Sequence, residues 1–378
     1  MRLLWMFFVY LGLAGGANAC AAPTIRDFSC ASTAFHACEI QVNGAPRHYC
    51  QHLPDQGGAL PALLAFHGAG ADANAMVNLW RSYVEQGLIL IIPDASETGT
   101  DGTCSTIWRQ IGFQASDWAG LEREYGCAGG TGYSDIDFVD AVMTQIETER
   151  EVQGFYATGF SAGAGFVYQL YLTEPIVERF KGFAVASMGM SRAKIDAVAD
   201  PDSGVIGHRY GPNMAVKRPI LFHMGTADKL ALPIESIVAH LRENPRCADP
   251  SSIFMALRCV LFNQTEENRG TFDMTSEIQH TEDWLAGFNN TNPRRIESLY
   301  PDLGAGEGGD KTMTVRADYL PKDGGAPVAV LTTLGGGHDW PGWGGNHAPC
   351  PSRMCDIDLA HEILQFFRST AGMVTPPR

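Results

Sequence analysis

Three side chains of this sequence have the types and the order needed for acyl transfer: Ser161, Asp228 and His338. A serine hydroxyl attacks a carbonyl only if a base takes its proton, a carboxylate holds that base in the right tautomer, and N–H donors receive the developing oxyanion. Ser161 lies in Gly159-Phe160-Ser161-Ala162-Gly163, Asp228 ends Gly225-Thr226-Ala227-Asp228, and His338 sits in Gly335-Gly336-Gly337-His338-Asp339-Trp340-Pro341-Gly342. A serine on a sharp strand-to-helix turn leaves no room for side chains two residues before and after it, a demand that Gly159 and Gly163 meet. With 42 glycines in 378 residues, that five-residue pattern arises by chance in about one such chain in five. The weight therefore rests on all three turns together.

The elements that must position these turns can be read from the apolar runs. Leu60 to Phe66 is a buried-strand pattern running into His67-Gly68-Ala69-Gly70, a small turn whose backbone amides are free to point into a cleft. Ala69 is the expected second oxyanion donor, and Ala162, opening the helix after Ser161, is the first. Asp72 to Gln86 reads as a helix capped by Asp72 and ended by Gly87, with a buried strand at Leu88 to Ile92. Ser134 to Glu149 gives an amphipathic helix, Phe155 to Thr158 the strand before the elbow, and Phe183 to Met188 another strand. Pro219 to Gly225 leads into Asp228, Val328 to Leu331 leads towards His338, and Ile357 to Arg368 closes the chain as a helix. Strand, helix and strand in alternation predict a mostly parallel sheet with helices on both faces. His223, inside its strand, reads as a core residue, and Asp202, His347 and His361 are weaker competitors for the catalytic roles.

Two long stretches interrupt the alternation. Residues 93–132 are rich in Gly, Ser and Asp and carry Trp108 and Trp118; loops of this length more often serve function than mere connection. Trp108, with Trp340 and Trp343, is a candidate aromatic wall for an acyl group, against the alternative that each is packing. Residues 244–325 are expected to form a cap-like insertion over the cleft, with helical runs at Ile253 to Phe262 and around Trp284 to Phe288. Asn263-Gln264-Thr265 and Asn289-Asn290-Thr291 are glycosylation sequons.

Residues 1–19 read as a signal peptide: Arg2, an apolar core from Leu3 to Leu13, and small residues at 17 and 19 before Cys20. Export is the expectation, with 20–378 as one catalytic domain in an extracellular or, in a bacterium, periplasmic setting. All ten cysteines lie at or after residue 20, which in an exported chain predicts disulfides. Near neighbours suggest Cys104 with Cys127, Cys247 with Cys259 and Cys350 with Cys355, leaving Cys20, Cys30, Cys38 and Cys50 to pair among themselves. The cysteines lack metal-ligand spacing, so no metal is expected. A formal net charge of −15 argues against nucleic acid or an anionic membrane as partner, and no later stretch is long enough for a membrane span.

The set His67-Gly68, Gly159 to Gly163, Gly225 to Asp228 and Gly337-His338-Asp339-Trp340-Pro341-Gly342 resembles secreted polyhydroxybutyrate depolymerases and feruloyl esterases, carbohydrate esterase family one of the α/β-hydrolase superfamily. The likeness covers about residues 60 to 345, and its most specific piece is the His-x-Trp-Pro-Gly ending. It implies an α/β-hydrolase fold with Ser161 as nucleophile, Asp228 as acid and His338 as base. It also implies hydrolysis of hydroxyalkanoate esters, or of feruloyl and acetyl esters on plant polysaccharides, without a cofactor. The insertion before His338 and the cysteine-dense first forty mature residues are not part of that pattern. Two other readings share the residues. One is a serine exopeptidase or oligopeptidase, and the other is a non-catalytic binding protein on the same scaffold.

Overall fold

The doubly apolar runs of the sequence become the middle of one sheet. In the computed structural model, the described residues are 28–95, 108, 134–190, 211–213, 215–228, 274–300, 312–342 and 354–375. The strands are β1 (His36–Val42), β2 (Ala45–His52), β3 (Leu60–Phe66), β4 (Ile89–Pro93), β5 (Val152–Phe160), β6 (Thr173–Glu174), β7 (Phe180–Ala186), β8 (Gly211–Pro212), β9 (Ile220–Gly225), β10 (Thr291–Leu299), β11 (Met313–Pro321) and β12 (Val328–Leu334). The helices are α1 (Ala73–Trp80), α2 (Ser134–Glu149), α3 (Ala162–Tyr171), α4 (Thr275–Phe288) and α5 (Leu359–Thr370). None of the described helices is long and apolar enough to cross a membrane.

Ten strands form the main sheet in the order β1-β2-β4-β3-β5-β7-β9-β12-β11-β10, and β6 pairs with β8 apart from it. The six from β4 to β12 run parallel, and an antiparallel hairpin closes each side. Every residue of β3, β4 and β9 is buried, as strands covered on both faces must be. One face packs on α2, α3 and α4 through residues such as Phe138, Phe166 and Leu285. The other packs on α1 and α5 through Trp80, Leu364 and Phe367. This is the α/β-hydrolase fold.

Strand order reverses beside β3: the chain steps outward to β4 and then returns to β5 on the opposite flank of β3. In such sheets the crevice at the carboxyl ends of the strands on either side of the reversal is where ligands bind. The two turns that leave that crevice follow β3 and β5, which carry His67 and Ser161.

Local signals account for the boundaries. Asp72 accepts a hydrogen bond from the Ala75 amide at 3.3 Å and opens α1, and Gly87, at φ 69°, ends the following 3-10 turn. Asp358 caps α5 in the same way. The amino-terminal hairpin β1–β2 carries the Cys30–Cys50 bridge, which falls within the expected set, and Cys38 and Cys355 are disulfide-bonded as well. The other expected pairings each include a cysteine outside the described residues.

The stretch expected as a cap needs correction where it is described. Far from resuming only at Val328, the sheet already contains β10 and β11, and α4 packs on its face. In β10 every residue after Thr291 is exposed. A sheet-edge strand with Pro293, Arg294 and Arg295 has no apolar alternation from which to recognise it. Residues 244–273 and 301–311 lie outside the described set.

Candidate active site

The elbow is built by exclusion of side chains. Ser161 holds φ 53° and ψ −118° between β5 and α3, a conformation that L-residues occupy only when their surroundings impose it. A Cβ on Gly159 would stand 2.4 Å from the backbone of Gly163, and one on Gly163 would stand 2.2 Å from the Phe66 carbonyl oxygen and 2.6 Å from that of His67. The ends of β3 and β5 and the first turn of α3 thus touch backbone to backbone. The Ser161 amide donates to the Ala186 carbonyl at 2.9 Å, and its carbonyl receives the first helical bond from Gly165 at 3.0 Å. Ala162, the first helical residue, has an amide that its own helix cannot satisfy. It stands beside Ser161 at the positive end of a helix whose ten residues are all buried.

The turn after β3 is held by the imidazole of His67, which is completely buried. Its Nε2 accepts the Ala95 amide at 3.0 Å, so Nδ1 carries the proton and donates to the Gly68 carbonyl at 2.9 Å. Asp94 Oδ1 lies 3.4 Å from Nε2, farther than the amide, so the amide defines the tautomer. Trp108 Nε1 donates to the His67 carbonyl at 3.0 Å, and the indole stacks on Phe166 of α3 with centroids 5.1 Å apart. Burying such a ring removes roughly 200 Å² from water, worth about 5 kcal/mol. A Cβ on Gly68 would stand 3.3 Å from Ser161 Cβ, so the turn passes close over Ser161. Ala69 follows on the exposed crest of that turn.

Asp228 and His338 arrive from β9 and β12, neighbours in the sheet. Asp228 is fully buried, and both of its carboxylate oxygens lie within reach of His338 Nδ1, at 2.8 and 2.9 Å. His338 Nε2 is 2.9 Å from Ser161 Oγ. The turns bearing the two residues are clasped together. Thr226 N donates to the Thr333 carbonyl at 2.9 Å, Ala227 N to the Gly336 carbonyl at 2.8 Å, and Gly335 N to Thr226 Oγ1 at 2.9 Å. A Cβ on Gly225 would stand 2.2 Å from the Gly336 oxygen.

Beneath the clasp, His223 is completely buried in β9, and desolvation pushes its pKa down to about 3. Its Nε2 meets Thr333 Oγ1 at 3.1 Å, and that hydroxyl meets Thr314 Oγ1 at 2.9 Å. Ser187, buried at φ 55° at the end of β7, donates its amide to the His223 carbonyl at 2.9 Å and its hydroxyl to the Asp339 carbonyl at 3.4 Å.

The structure therefore brings Ser161, Asp228 and His338 into one hydrogen-bonded line, with Ala162 and the Gly68-Ala69 turn beside it. Such a line can move a proton from a serine hydroxyl to an imidazole whose opposite nitrogen is held by a carboxylate. The tryptophans are placed differently from the expected aromatic wall. Trp108 lies wholly under the His67 turn, and Trp340 is buried against Trp80 and Phe160. Large rings next to glycine-rich turns fill the space that the glycines leave beneath them. Trp343 lies outside the described residues. Asp94, Ala95, Thr226 and Phe160 also border the site, beyond the residues expected there. Of these, only Phe160 and Thr226 carried a signal, by lying inside the two motifs.

No protein-family profile matches the chain, and no curated protein matches it. Among solved structures, an alpha-beta serine hydrolase homologue from Coxiella burnetii is 12% identical over 57% of this chain and 83% of that one, with a TM-score of 0.35. A cold-adapted esterase from an Arctic intertidal metagenomic library is 16% identical over 53% of this chain and 76% of that one, also at 0.35. A Vigna radiata epoxide hydrolase mutant is 16% identical over 42% of this chain and 40% of that one, at 0.28. Likeness at this level says nothing about reaction or substrate.

Proposed function

We propose that the protein is an exported serine hydrolase of carboxylic esters. The observation that carries the reading is the unbroken line from Asp228 through His338 to Ser161 Oγ, at 2.8 Å and 2.9 Å. Ser161 Oγ attacks the ester carbonyl while its proton passes to His338 Nε2, and Asp228 holds Nδ1–H and balances the imidazolium. The carbonyl oxygen, now negative, is received by the amides of Ala162 and Ala69. As the carbon–oxygen bond to the alcohol breaks, Nε2 returns the proton to the leaving oxygen. Water then repeats the sequence on the acyl-serine, giving the free acid and restoring Ser161.

The resemblance in the four motifs names the substrates to try: short hydroxyalkanoate esters, and feruloyl or acetyl esters of plant polysaccharides. The Cys30–Cys50 bridge supports the exported setting, since such bridges persist in oxidising compartments. The deciding test measures initial rates on methyl ferulate and on hydroxybutyrate trimer, for the wild-type protein and Ser161→Ala. The expected outcome is turnover of at least one ester, reduced at least about 10³-fold in the variant. Equal rates in the two proteins would refute the assignment, and turnover of aminoacyl anilides alone would convert it to a peptidase.

A further inference from the structure

We infer that Phe160 is a positioning residue for the base. Its ring flanks the His338 imidazole, with centroids 5.1 Å apart and planes inclined by 45°. This inference rests on the ester-hydrolase reading and deepens it. The two bonds that hold His338, from Nδ1 to Asp228 and between Nε2 and Ser161 Oγ, both lie in the plane of the imidazole. The freedom left to the ring is rotation about its Cβ–Cγ bond, which swings Nε2 out of line with Ser161 Oγ. A contact on the flank of the ring opposes that rotation, and Phe160 supplies one.

Phe160 can act as such a stop because it is held on its other sides. Its backbone is the last residue of β5, paired with Ala186 of β7. Its Cδ1 stands 3.3 Å from where a Cβ on Gly68 would be, so a side chain larger than glycine at 68 would crowd it. Trp340 meets it edge-on at 6.3 Å, and Trp340 is in turn met edge-on by Trp80 at 6.3 Å. Both indoles are buried. The column Trp80–Trp340–Phe160 therefore runs from the core to the imidazole and joins the nucleophile's strand to the base's own loop. A ring that turns about Cβ–Cγ spends less time with Nε2 aligned on the serine and leaving-group oxygens, and misalignment of this kind lowers the chemical rate without touching substrate affinity.

The test compares wild type, Phe160→Leu, Phe160→Met, Phe160→Tyr and Ser161→Ala on p-nitrophenyl butyrate, with kcat and KM resolved and thermal melts recorded. Phe160 is only partly buried, so all of these variants are expected to fold. The expected result is a fall in kcat of about tenfold for Leu and Met with KM within about twofold, and recovery to within about threefold of wild type when Tyr restores the ring. Wild-type kcat in Leu and Met, or a loss carried by KM, would overturn the role of Phe160 while Ser161→Ala stays inactive. Equal rates in wild type and Ser161→Ala would instead overturn the ester-hydrolase reading and this inference with it.

Discussion

The Ser161 half of the site and the half that carries the proposed acid and base are held by different forces. Around Ser161 the parts meet as bare backbone, and the positions where Gly159 and Gly163 would carry a Cβ fall 2.2–2.4 Å from main-chain atoms. Around Asp228 and His338 one equally close backbone approach, of Gly225 to Gly336, is joined by hydrogen bonds between the two turns, one of them made by a side chain, Thr226. Backbone contact is stiff and admits no substitution. Hydrogen bonds can be traded, weakened or replaced by water. The half that holds the strained serine is rigid, and the half that holds Asp228 and His338 adds adjustable contacts to its close backbone approach.

The sharpest way to break that contrast is Gly163→Ala. Its methyl group would meet the Phe66 and His67 carbonyl oxygens at 2.2 and 2.6 Å, and neither can rotate away. The expected cost is about 3 kcal/mol or more, with activity falling by over about 10³-fold, because the shift displaces both Ser161 and the turn after β3. Gly287→Ala is the control: it lies in the last turn of α4, and a Cβ there meets nothing within 4 Å. That change should stabilise by roughly 0.4–1 kcal/mol. Urea midpoints of the two variants give the comparison, and a mild effect at 163 would mean that the elbow is not sterically locked.

The next effect belongs to His223, under the acid–base half. Its pKa in the fold is pushed down to about 3 from an ordinary 6.5, so below 6.5 the unfolded chain takes up a proton that the fold refuses. Stability linked to this group is complete above pH 6.5 and is lost as pH falls towards 3. Between pH 6.5 and 4.5 the expected loss is about 2–3 kcal/mol. His223→Gln keeps a donor for Thr333 but cannot titrate in this range. Its urea midpoint should therefore fall less steeply over the same interval, and identical slopes would remove His223 as the source.

What could be read in advance divides along the same line. Glycines at fixed offsets and strands buried on both faces leave local marks, so β3, β4, β5, α2 and the three turns were legible from residue order alone. β10 and β11 were not, because an exposed edge strand such as Thr291–Leu299 carries charge and proline where a core strand carries valine. The Ala95 amide that fixes the His67 tautomer is a backbone group, and no residue choice announces it. The Asn289 sequon also changes meaning in the fold. Its side chain is fully buried, accepting from the Tyr171 hydroxyl at 2.6 Å and donating to the Arg218 carbonyl at 2.9 Å, so it is a packing amide closed to glycosylation.

The smallest expected effect tests whether the clasp is adjustable. Thr226→Val keeps the shape of the side chain and removes the acceptor of the Gly335 amide, which lies 2.9 Å away. Thr226 is partly exposed, so water can reach the orphaned amide and the fold should lose no more than about 1 kcal/mol. The catalytic cost should be larger than that suggests, because Gly335 begins the turn that ends at His338. A fall in kcat of about three- to tenfold is expected, with KM unchanged and Thr226→Ser restoring most of the rate. If kcat stays within twofold, the two backbone bonds from Thr226 and Ala227 to Thr333 and Gly336 suffice by themselves. The acid–base half would then be as firmly held by backbone as the elbow, and the contrast between the two halves would fail at that point.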